Sequence, residues 1–366
     1  MEKSRVGIIF GSRSVEHEVS VITAYQVIKA IDKEKYEPIP IYIKKDGEWV
    51  TAPESFGEFK NNYPNIKVKK IFISSNSLAK EGLFGTKIKI DIAFPLVHGT
   101  FGEDGTLQGM LEMINVPYVG SGVTGSAISM DKIVSKRLFS GLSLPIVDWL
   151  CFSRNNWREK SNEIIKEIQN RISFPLFVKP SSLGSSIGIN KCETLDELSF
   201  ALDVAFEYDY NVIVEKALSN VNEVNCAVLD SDDIITSLCE MPIVSDEFLT
   251  YGDKYKKGGK GKGMKGASRI IPAPISKEVT KKIQDMAVYA FRSCQCSGVA
   301  RVDFFVTDDE KVYINEINTI PGSLSFFLFE PIGISFKELI TRLIDIGFER
   351  AKKRKEIRYS VSYSIF

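Results

Sequence analysis

Two rhythms run through the hydrophobic and polar positions of this chain. Short apolar runs of strand length occur at residues 6–10, 36–43, 91–97, 174–180 and 211–218, each followed by polar or glycine-bearing residues. Between them, apolar residues recur at helical spacing up to about Ile31 and over 106–114, 126–140 and 195–206. Strand, turn, helix in repetition predicts an α/β chain. Later the rhythm changes. Runs 223–229 and 234–240 flank a turn at 230–233, and runs 302–306 and 312–317 flank the polar turn 307–311. These read as antiparallel pairs, with helices predicted over 275–294 and 335–348. The class is therefore α/β with α+β character towards the C-terminus. A composition shift near 130 and a new block near 219 predict three domains: 1–130, 131–218 and 219–366. Residues 46–90 are mixed, with strand-like patches near Val50 and Ile71. The basic run 350–358 reads as a solvated helix face. For the tail 359–366, an added strand and disorder both stand.

Composition narrows the class of function. At 366 residues the chain has room for about two or three domains. Apolar residues make up 44% and charged residues 26%, as in soluble globular proteins. Lys+Arg and Asp+Glu both number 47, so no bulk positive field points to nucleic acid. No apolar run reaches transmembrane length. The first strand begins too early for a signal peptide. The six cysteines are scattered, mostly in apolar runs, and Cys294 and Cys296 form a lone CxC without a second pair for zinc. The expectation is a reduced, cytoplasmic protein with no membrane partner.

The chemistry concentrates in a few places. The densest is the hairpin 301–322, RVDFFVTDDEKVYINEINTIPG. Folding it back brings Asp303 beside Glu316 and Asn318, which share a strand face. Three oxygen side chains at one hairpin end suit a hard divalent cation, and Arg301 lies on the same face to neutralise developing negative charge. The alternative is a surface hairpin with solvated acids. Apolar neighbours on both sides of Asp303 and Glu316 weigh against it.

The first strand runs into Gly11-Ser-Arg-Ser-Val-Glu16, a turn before a helix that lacks the GxGxxG spacing. Glu16 is read either as an amine ligand or as an acid favoured by the helix dipole. His98 ends a strand before a glycine-rich turn, where open α/β sheets bind ligands, or it is a structural loop histidine. Lys179 closes a strand before the Gly/Ser loop 181–188. Backbone N–H groups there can cradle phosphates, with Lys179 as point charge, or the loop is a flexible hairpin. The strand 211–218 is placed to set Glu215 against a ribose and the backbone of Lys216, Ala217 and Leu218 against an adenine edge. The Gly/Lys-rich stretch 251–266 cannot build a core, and reads as a mobile lid over phosphates or as a solvated linker.

Together these motifs resemble the D-alanine–D-alanine ligase family of the ATP-grasp superfamily, over almost the whole chain. The residues that carry it are Ser14-Val-Glu16-His-Glu-Val-Ser20, His98-Gly with Gly102-Glu-Asp-Gly-Thr-Leu-Gln-Gly109, Ser129-Met-Asp-Lys132, Val178-Lys-Pro with Gly184-Ser-Ser186, Arg301-Val-Asp303 and Asn315-Glu-Ile-Asn318-Thr-Ile-Pro-Gly322. The resemblance implies a three-domain ATP-grasp fold and a reaction. ATP phosphorylates the carboxylate of one D-alanine, and the amine of a second attacks the acylphosphate, giving a dipeptide for peptidoglycan. By resemblance Lys132, Lys179, Ser185, Ser186, Glu215, Lys216, Ala217, Leu218, Glu223 and Asn315 hold the nucleotide. Asp303, Glu316 and Asn318 hold two Mg²⁺ ions, with Mn²⁺ as a substitute. Glu16 takes the first ammonium with His98 nearby. Arg301 and the Gly322 backbone stabilise the oxyanion, Ser185 and Tyr255 join Glu16, and Lys254 reaches the transferred phosphate. A homodimer is also implied.

Two positions bear on the second substrate. Tyr255 matches the dipeptide-forming members of the family. Phe327 stands where the usual member has a serine that binds the second substrate's carboxylate. Either Ser323 or Ser325 substitutes for it, or the acceptor site is reshaped for another amino or hydroxy acid. A nucleotide-binding relative without catalysis is the remaining alternative. The intact set Asp303, Glu316, Asn318, Lys179, Lys254 and Arg301 argues against it.

Overall fold

A computed structural model describes residues 2–51, 69–74, 77–80, 87–231, 233–243 and 269–358. Lys254, Tyr255, the stretch 251–266 and the tail 359–366 lie outside the described residues. The chain begins with β1 (Ser4–Gly11), α1 (His17–Ala30) and β2 (Tyr36–Ile43). Five strands complete the first sheet: β3 (Trp49–Thr51), β4 (Lys69–Ser74), β5 (Ser77–Lys80), β6 (Lys87–Ile88) and β7 (Ile92–Pro95). β1 lies between β2 and β7 and runs parallel to both. Its apolar run is buried on both faces, as a central parallel strand requires. The loops leaving β1 and β7 carry Glu16 and His98, and they emerge side by side because the strands are adjacent and parallel. Tyr118 adds one isolated parallel bridge to Ala93 of β7.

The single helix expected over 126–140 is two. After α2 (Thr106–Met113) come α3 (Val123–Met130) and α4 (Lys132–Gly141), broken at Asp131. Asp131 is extended, and its carboxylate accepts from the N–H groups of Ile133 and Val134. The short acid is worth more as an N-cap than inside a helix. The break also docks the helix pair on the Gly/Ser loop. Ser181 Oγ donates to Asp131 Oδ1 at 2.7 Å, and Lys132 N donates to Ser181 O at 3.0 Å.

The second sheet has the order β10-β9-β11-β8 and is antiparallel throughout. Its strands are β8 (Trp149–Ser153), β9 (Leu176–Pro180), β10 (Asn190–Cys192) and β11 (Asn211–Lys216). α5 (Arg154–Arg171) and α6 (Leu195–Tyr208) cover it. The third sheet is built from β12 (Val221–Leu229), β13 (Ile235–Thr236), β16 (Val299–Thr307) and β17 (Val312–Asn318), with α7 (Lys277–Ser293) packed on it. A two-stranded ribbon of β14 (Met241–Pro242) and β15 (Arg269–Ile270) sits at its margin.

The chain closes with the one-turn helix α8 (Phe326–Phe329) and the long α9 (Phe336–Lys355). Phe326 to Phe329 and Leu339, Ile340, Leu343 and Ile344 share one core with Val6, Ile8 and Phe10 of the first sheet. Ala227, Leu229 and Val299 of the third sheet join it. α9 runs past the predicted Phe348 into the basic run, where Lys352, Lys353 and Lys355 are exposed as the sequence predicts, while Arg350 and Arg354 pack. Arg350 lies over the Tyr118 ring at 4.1 Å and donates to the carbonyls of Tyr118, at 2.9 Å, and Gly120. Arg354 pairs with Glu112 at 2.7 Å. Among the described residues, no helix is long and apolar enough to cross a membrane.

Asp131→Ala is expected to lower stability by about 0.5–2 kcal/mol through loss of the cap, whereas Asp131→Asn retains most of it. Urea titrations of the three proteins check this.

Candidate active site

The cavity at the junction of the sheets has a volume of about 120 Å³. Its walls include Glu16, His98, Glu103, Lys132, Ser185, Glu223, Arg269, Arg301, Glu316, Asn318 and Gly322. The β16–β17 hairpin forms one wall. Register sets Asp303 opposite Glu316, as the sequence predicts, and Arg301 opposite Asn318. Asn315 has no opposite number, because Phe304 pairs with Ile314: it is the extra residue of a β-bulge. Arg301 lies along the strand on Asp303, with Nε to Oδ1 at 2.6 Å and Nη2 to Oδ2 at 2.7 Å. Asn318 Nδ2 donates to Asp303 Oδ2 at 3.0 Å. Burial opposes the charge on Arg301, but the Asp303 carboxylate outweighs it and raises the guanidinium pKa further. Lys132 Nζ donates to Leu183 O at 2.8 Å and lies 3.5 Å from Glu316 Oε2.

As a metal site, this wall offers two carboxylates and an amide oxygen, donors that suit a hard cation. Among the described residues no three His, Cys, Asp or Glu side chains form a metal-binding group. The third donor here is the amide of Asn318.

Behind the cavity lining, β9, β11 and α4 carry a buried charge cluster. Glu215 is 1% exposed, with Lys136 at 2.7 Å and Lys179 as its other ion-pair partner. Burial would raise its pKa, but the two lysines prevail and hold it down to about 2. Glu215 thus orders Lys179, the lysine that the sequence assigns to phosphate. Lys136 was not anticipated. Its signal was present, since Lys132 and Lys136 stand four apart on one helix face. The N–H groups of Lys216 and Ala217 donate to Asp148 O and Pro175 O, both at 2.9 Å. An adenine edge there would meet carbonyls rather than those two N–H groups. Lys216 Nζ donates to Ser173 Oγ. The loop between β9 and β10 holds Ser185 and Ser186 in the left-handed region, at φ +55° and +58°.

Another wall comes from the first sheet. Glu16 is the N-cap of α1, and its N–H donates to Ser14 Oγ at 3.1 Å. Ser14 Oγ donates in turn to His98 O at 2.8 Å. Ser185 Oγ donates to the Glu16 carboxylate across 169 residues of sequence. Two glycines make room for that carboxylate. A Cβ on Gly184 would lie 2.7 Å from Glu16 Oε2, and one on Gly99 would lie nearer still. His98 is 3% exposed, with Nε2 at 2.9 Å from Thr23 Oγ1. Burial pulls its pKa down to about 4, so the ring is neutral at pH 7. His17 is structural, its ring nitrogens 2.6 Å from Ser12 O and 3.0 Å from Tyr42 Oη.

Glu103 was also missed. Its carboxylate accepts from Gly99 N at 2.9 Å and from Ile320 N at 2.8 Å, tying the loop after β7 to the loop after β17. Burial first, and then the Glu16 charge, raise its pKa to about 8. Its only sequence signal was an acid within a glycine-rich turn.

The segment after Gly322 carries the serines and the phenylalanine that the sequence singles out for the second substrate. Ser323, Leu324 and Ser325 are all left-handed, with φ of +53°, +54° and +50°. Ser323 and Ser325 are buried, and neither lines the cavity. Phe327 is buried too, and the Arg269 guanidinium stands 3.8 Å above its ring. Lys254 and Tyr255 lie outside the described residues.

An open α/β sheet joined to two antiparallel sheets around a charged cavity is the ATP-grasp architecture. Family profiles agree in sequence. The one described as D-ala D-ala ligase N-terminus matches residues 5–121, and the one described as D-ala D-ala ligase C-terminus matches 138–345. A D-alanine–D-alanine ligase from Thermosipho africanus is 40% identical, with 99% of this chain and 98% of that protein covered. The solved D-alanine–D-alanine ligase from Coxiella burnetii superimposes with a TM-score of 0.79 at 32% identity, covering 97% of this chain and 98% of that one. The VanG D-Ala:D-Ser ligase from Enterococcus faecalis gives a TM-score of 0.82 at 34% identity, covering 94% of this chain and 100% of that one. This chain belongs to the D-alanine–D-alanine ligase family.

Glu103 gives a pH dependence whose sign is fixed. Its folded pKa, about 8, lies above the ordinary glutamate value of 4.5, so it favours the fold below pH 4.5. That contribution is lost progressively as pH rises to about 8. Glu103→Gln should show a shallower fall in stability than the wild type between pH 5 and 8, in urea titrations at each pH.

Proposed function

We propose that the protein ligates two D-alanines at the expense of ATP, giving D-alanyl-D-alanine, ADP and phosphate for peptidoglycan synthesis. The observation that carries this reading is one cavity lined by Glu16, His98, Arg301 and Gly322 together with Glu316 and Asn318, in a chain of this family. Glu16, oriented by Ser185 and given room by Gly99 and Gly184, takes the ammonium of the donor D-alanine. The carboxylate oxygen of that donor D-alanine attacks the γ-phosphorus of ATP, forming the acylphosphate and releasing ADP. The amine of the second D-alanine adds to the carbonyl carbon, loses a proton, and expels phosphate. The developing oxyanion meets Arg301, whose charge Asp303 holds in place, and the Gly322 backbone. Neutral His98 adds no competing positive charge beside the donor ammonium. Lys179, ordered by Glu215, faces the phosphates, with Lys132, Ser186, Glu223 and Asn315 completing the nucleotide site. Asp303, Glu316 and Asn318 would hold Mg²⁺ or Mn²⁺, which would supply charge neutralisation at the transferring phosphoryl group.

In the same reading the domains are 1–130, 131–218 and 219–366, Lys254 and Tyr255 act from the lid, and the enzyme is a cytoplasmic homodimer. Sedimentation as a monomer would remove the dimer. Phe327 favours a second reading, the same mechanism with another acceptor amino or hydroxy acid.

Purified protein with ATP, Mg²⁺ and D-alanine is expected to release phosphate and to yield D-alanyl-D-alanine by mass. Phosphate release only with another acceptor would establish the second reading, and none with any acceptor would reject ligation. Glu316→Ala should abolish turnover and keep the fold. Asp303→Ala should abolish turnover and also cost about 3–5 kcal/mol, because Arg301 is left buried without its anion.

A further inference from the structure

Behind the segment that follows β17 lies a second, smaller cavity of about 10 Å³. Thr319 and Ile320 contribute to its lining and to that of the active-site cavity. Much of its wall is apolar, with Phe94, Val299 and Leu343 among the lining residues. Three of its polar side chains each keep an oxygen that no described residue meets: Gln108 Oε1, Ser126 Oγ and Thr319 Oγ1. They come from α2, from α3 and from the residue after β17, and they are 2%, 1% and 3% exposed. Gln108 Nε2 donates to Gly102 O at 2.7 Å, which fixes the amide and leaves Oε1 as an acceptor. A serine inside a helix can bond the carbonyl one turn back, but Ser126 Oγ does not. Ser121, on the same lining, is satisfied elsewhere. Its hydroxyl donates to Ser297 O at 3.3 Å and accepts from Ser297 N at 3.2 Å.

A buried oxygen without a partner loses its hydration and gains nothing in exchange. Three of them on one small cavity are satisfied together by one molecule that both donates and accepts. Water has that capacity and that size. A buried water commonly makes about three hydrogen bonds, and a polar cavity needs roughly 10–15 Å³ to hold one. One O–H donates to Gln108 Oε1, which can only accept, and the two hydroxyls take the remaining bonds in either direction. A hard metal ion fits poorly, because it takes about six or more oxygens and these three are neutral. We propose that the cavity binds a single water molecule, held by Gln108 Oε1, Ser126 Oγ and Thr319 Oγ1, and that this water braces the segment 319–322 against α2 and α3. Thr319 stands between Asn318, bonded to Asp303, and Ile320, whose N–H is bonded to Glu103. The water adds a third anchor, from behind. In the ligase reading the same segment presents the Gly322 backbone, but the binding of water does not depend on that reading.

A crystal structure of the full chain, at a resolution that orders solvent, tests the site directly. One solvent peak within about 3.2 Å of all three oxygens is expected. An anomalous signal there after a rubidium chloride soak would make the ligand a cation and overturn the assignment. So would three oxygens bonded to one another or to other protein groups with no solvent peak between them. The bracing is tested by hydrogen exchange at the peptide that contains Ile320. Ser126→Ala and Thr319→Val should each speed exchange there by about twofold to tenfold, the worth of one hydrogen bond, and Thr319→Ser should restore the wild-type rate. Both act through one water, so the double variant should exchange no faster than the faster single variant. Separate packing roles would instead add. Additive effects, or no effect of Ser126→Ala on that peptide, would overturn the bracing, and the wild-type crystal answers where a variant does not fold. None of these measurements reads turnover, so their failure leaves the ligase reading standing.

Discussion

Arg301 and Asp303 are two residues apart on one strand face, and the pair they form governs the cavity. Both are largely withdrawn from water, where an isolated charge of either sign would cost several kcal/mol. Held by two bonds, each charge is kept in place by the other. Asp303 is thereby positioned opposite Glu316, and Arg301 opposite Asn318, at the open end of the hairpin. Anything that binds there meets a fixed cation and a fixed oxygen cluster at adjacent positions. The catalytic value of such a wall lies in its being organised before substrate arrives.

The same logic recurs around the cavity. Glu215, between two lysines, supplies the negative charge that offsets the burial of Lys179 and Lys136. Glu103 spans from Gly99 to Ile320, so the loops after the first and third sheets share one acid. Glu16 is reached by Ser185 from the second sheet. Three walls, each from a different sheet, are thus joined by polar contacts to a carboxylate. The apolar segment 326–329 adds the cohesion, filling a core that residues of the first and third sheets share.

Much of this was legible in the sequence for physical reasons. The apolar runs of β1, β7, β9 and β16 announce themselves because a strand buried on both faces tolerates few polar residues. The polar turn of the hairpin fixes register closely enough to set Asp303 beside Glu316. Other features were not legible. Asp131 continues a helical pattern in sequence, and only its bond to Ser181 and its capping contacts reveal the break. Arg350 belongs to a basic run, and nothing local says that one member packs on Tyr118. α5 is mostly polar on its surface, and the residues it buries, Ile164 and Ile168, leave a weak period.

By itself the sequence determined which segments become strands and helices, where the loops that carry chemistry lie, and the residue types at the hairpin end. Those follow from local periodicity and from spacing along a single element. The tertiary structure alone decided what each charge meets: Glu215 with Lys136, Glu103 with the Ile320 N–H, and Arg269 with Glu240 and the Phe327 ring. The partners in these contacts are separated by up to 217 residues. A buried charge is stable only against a partner, and that partner is chosen by how sheets pack, which no local pattern encodes.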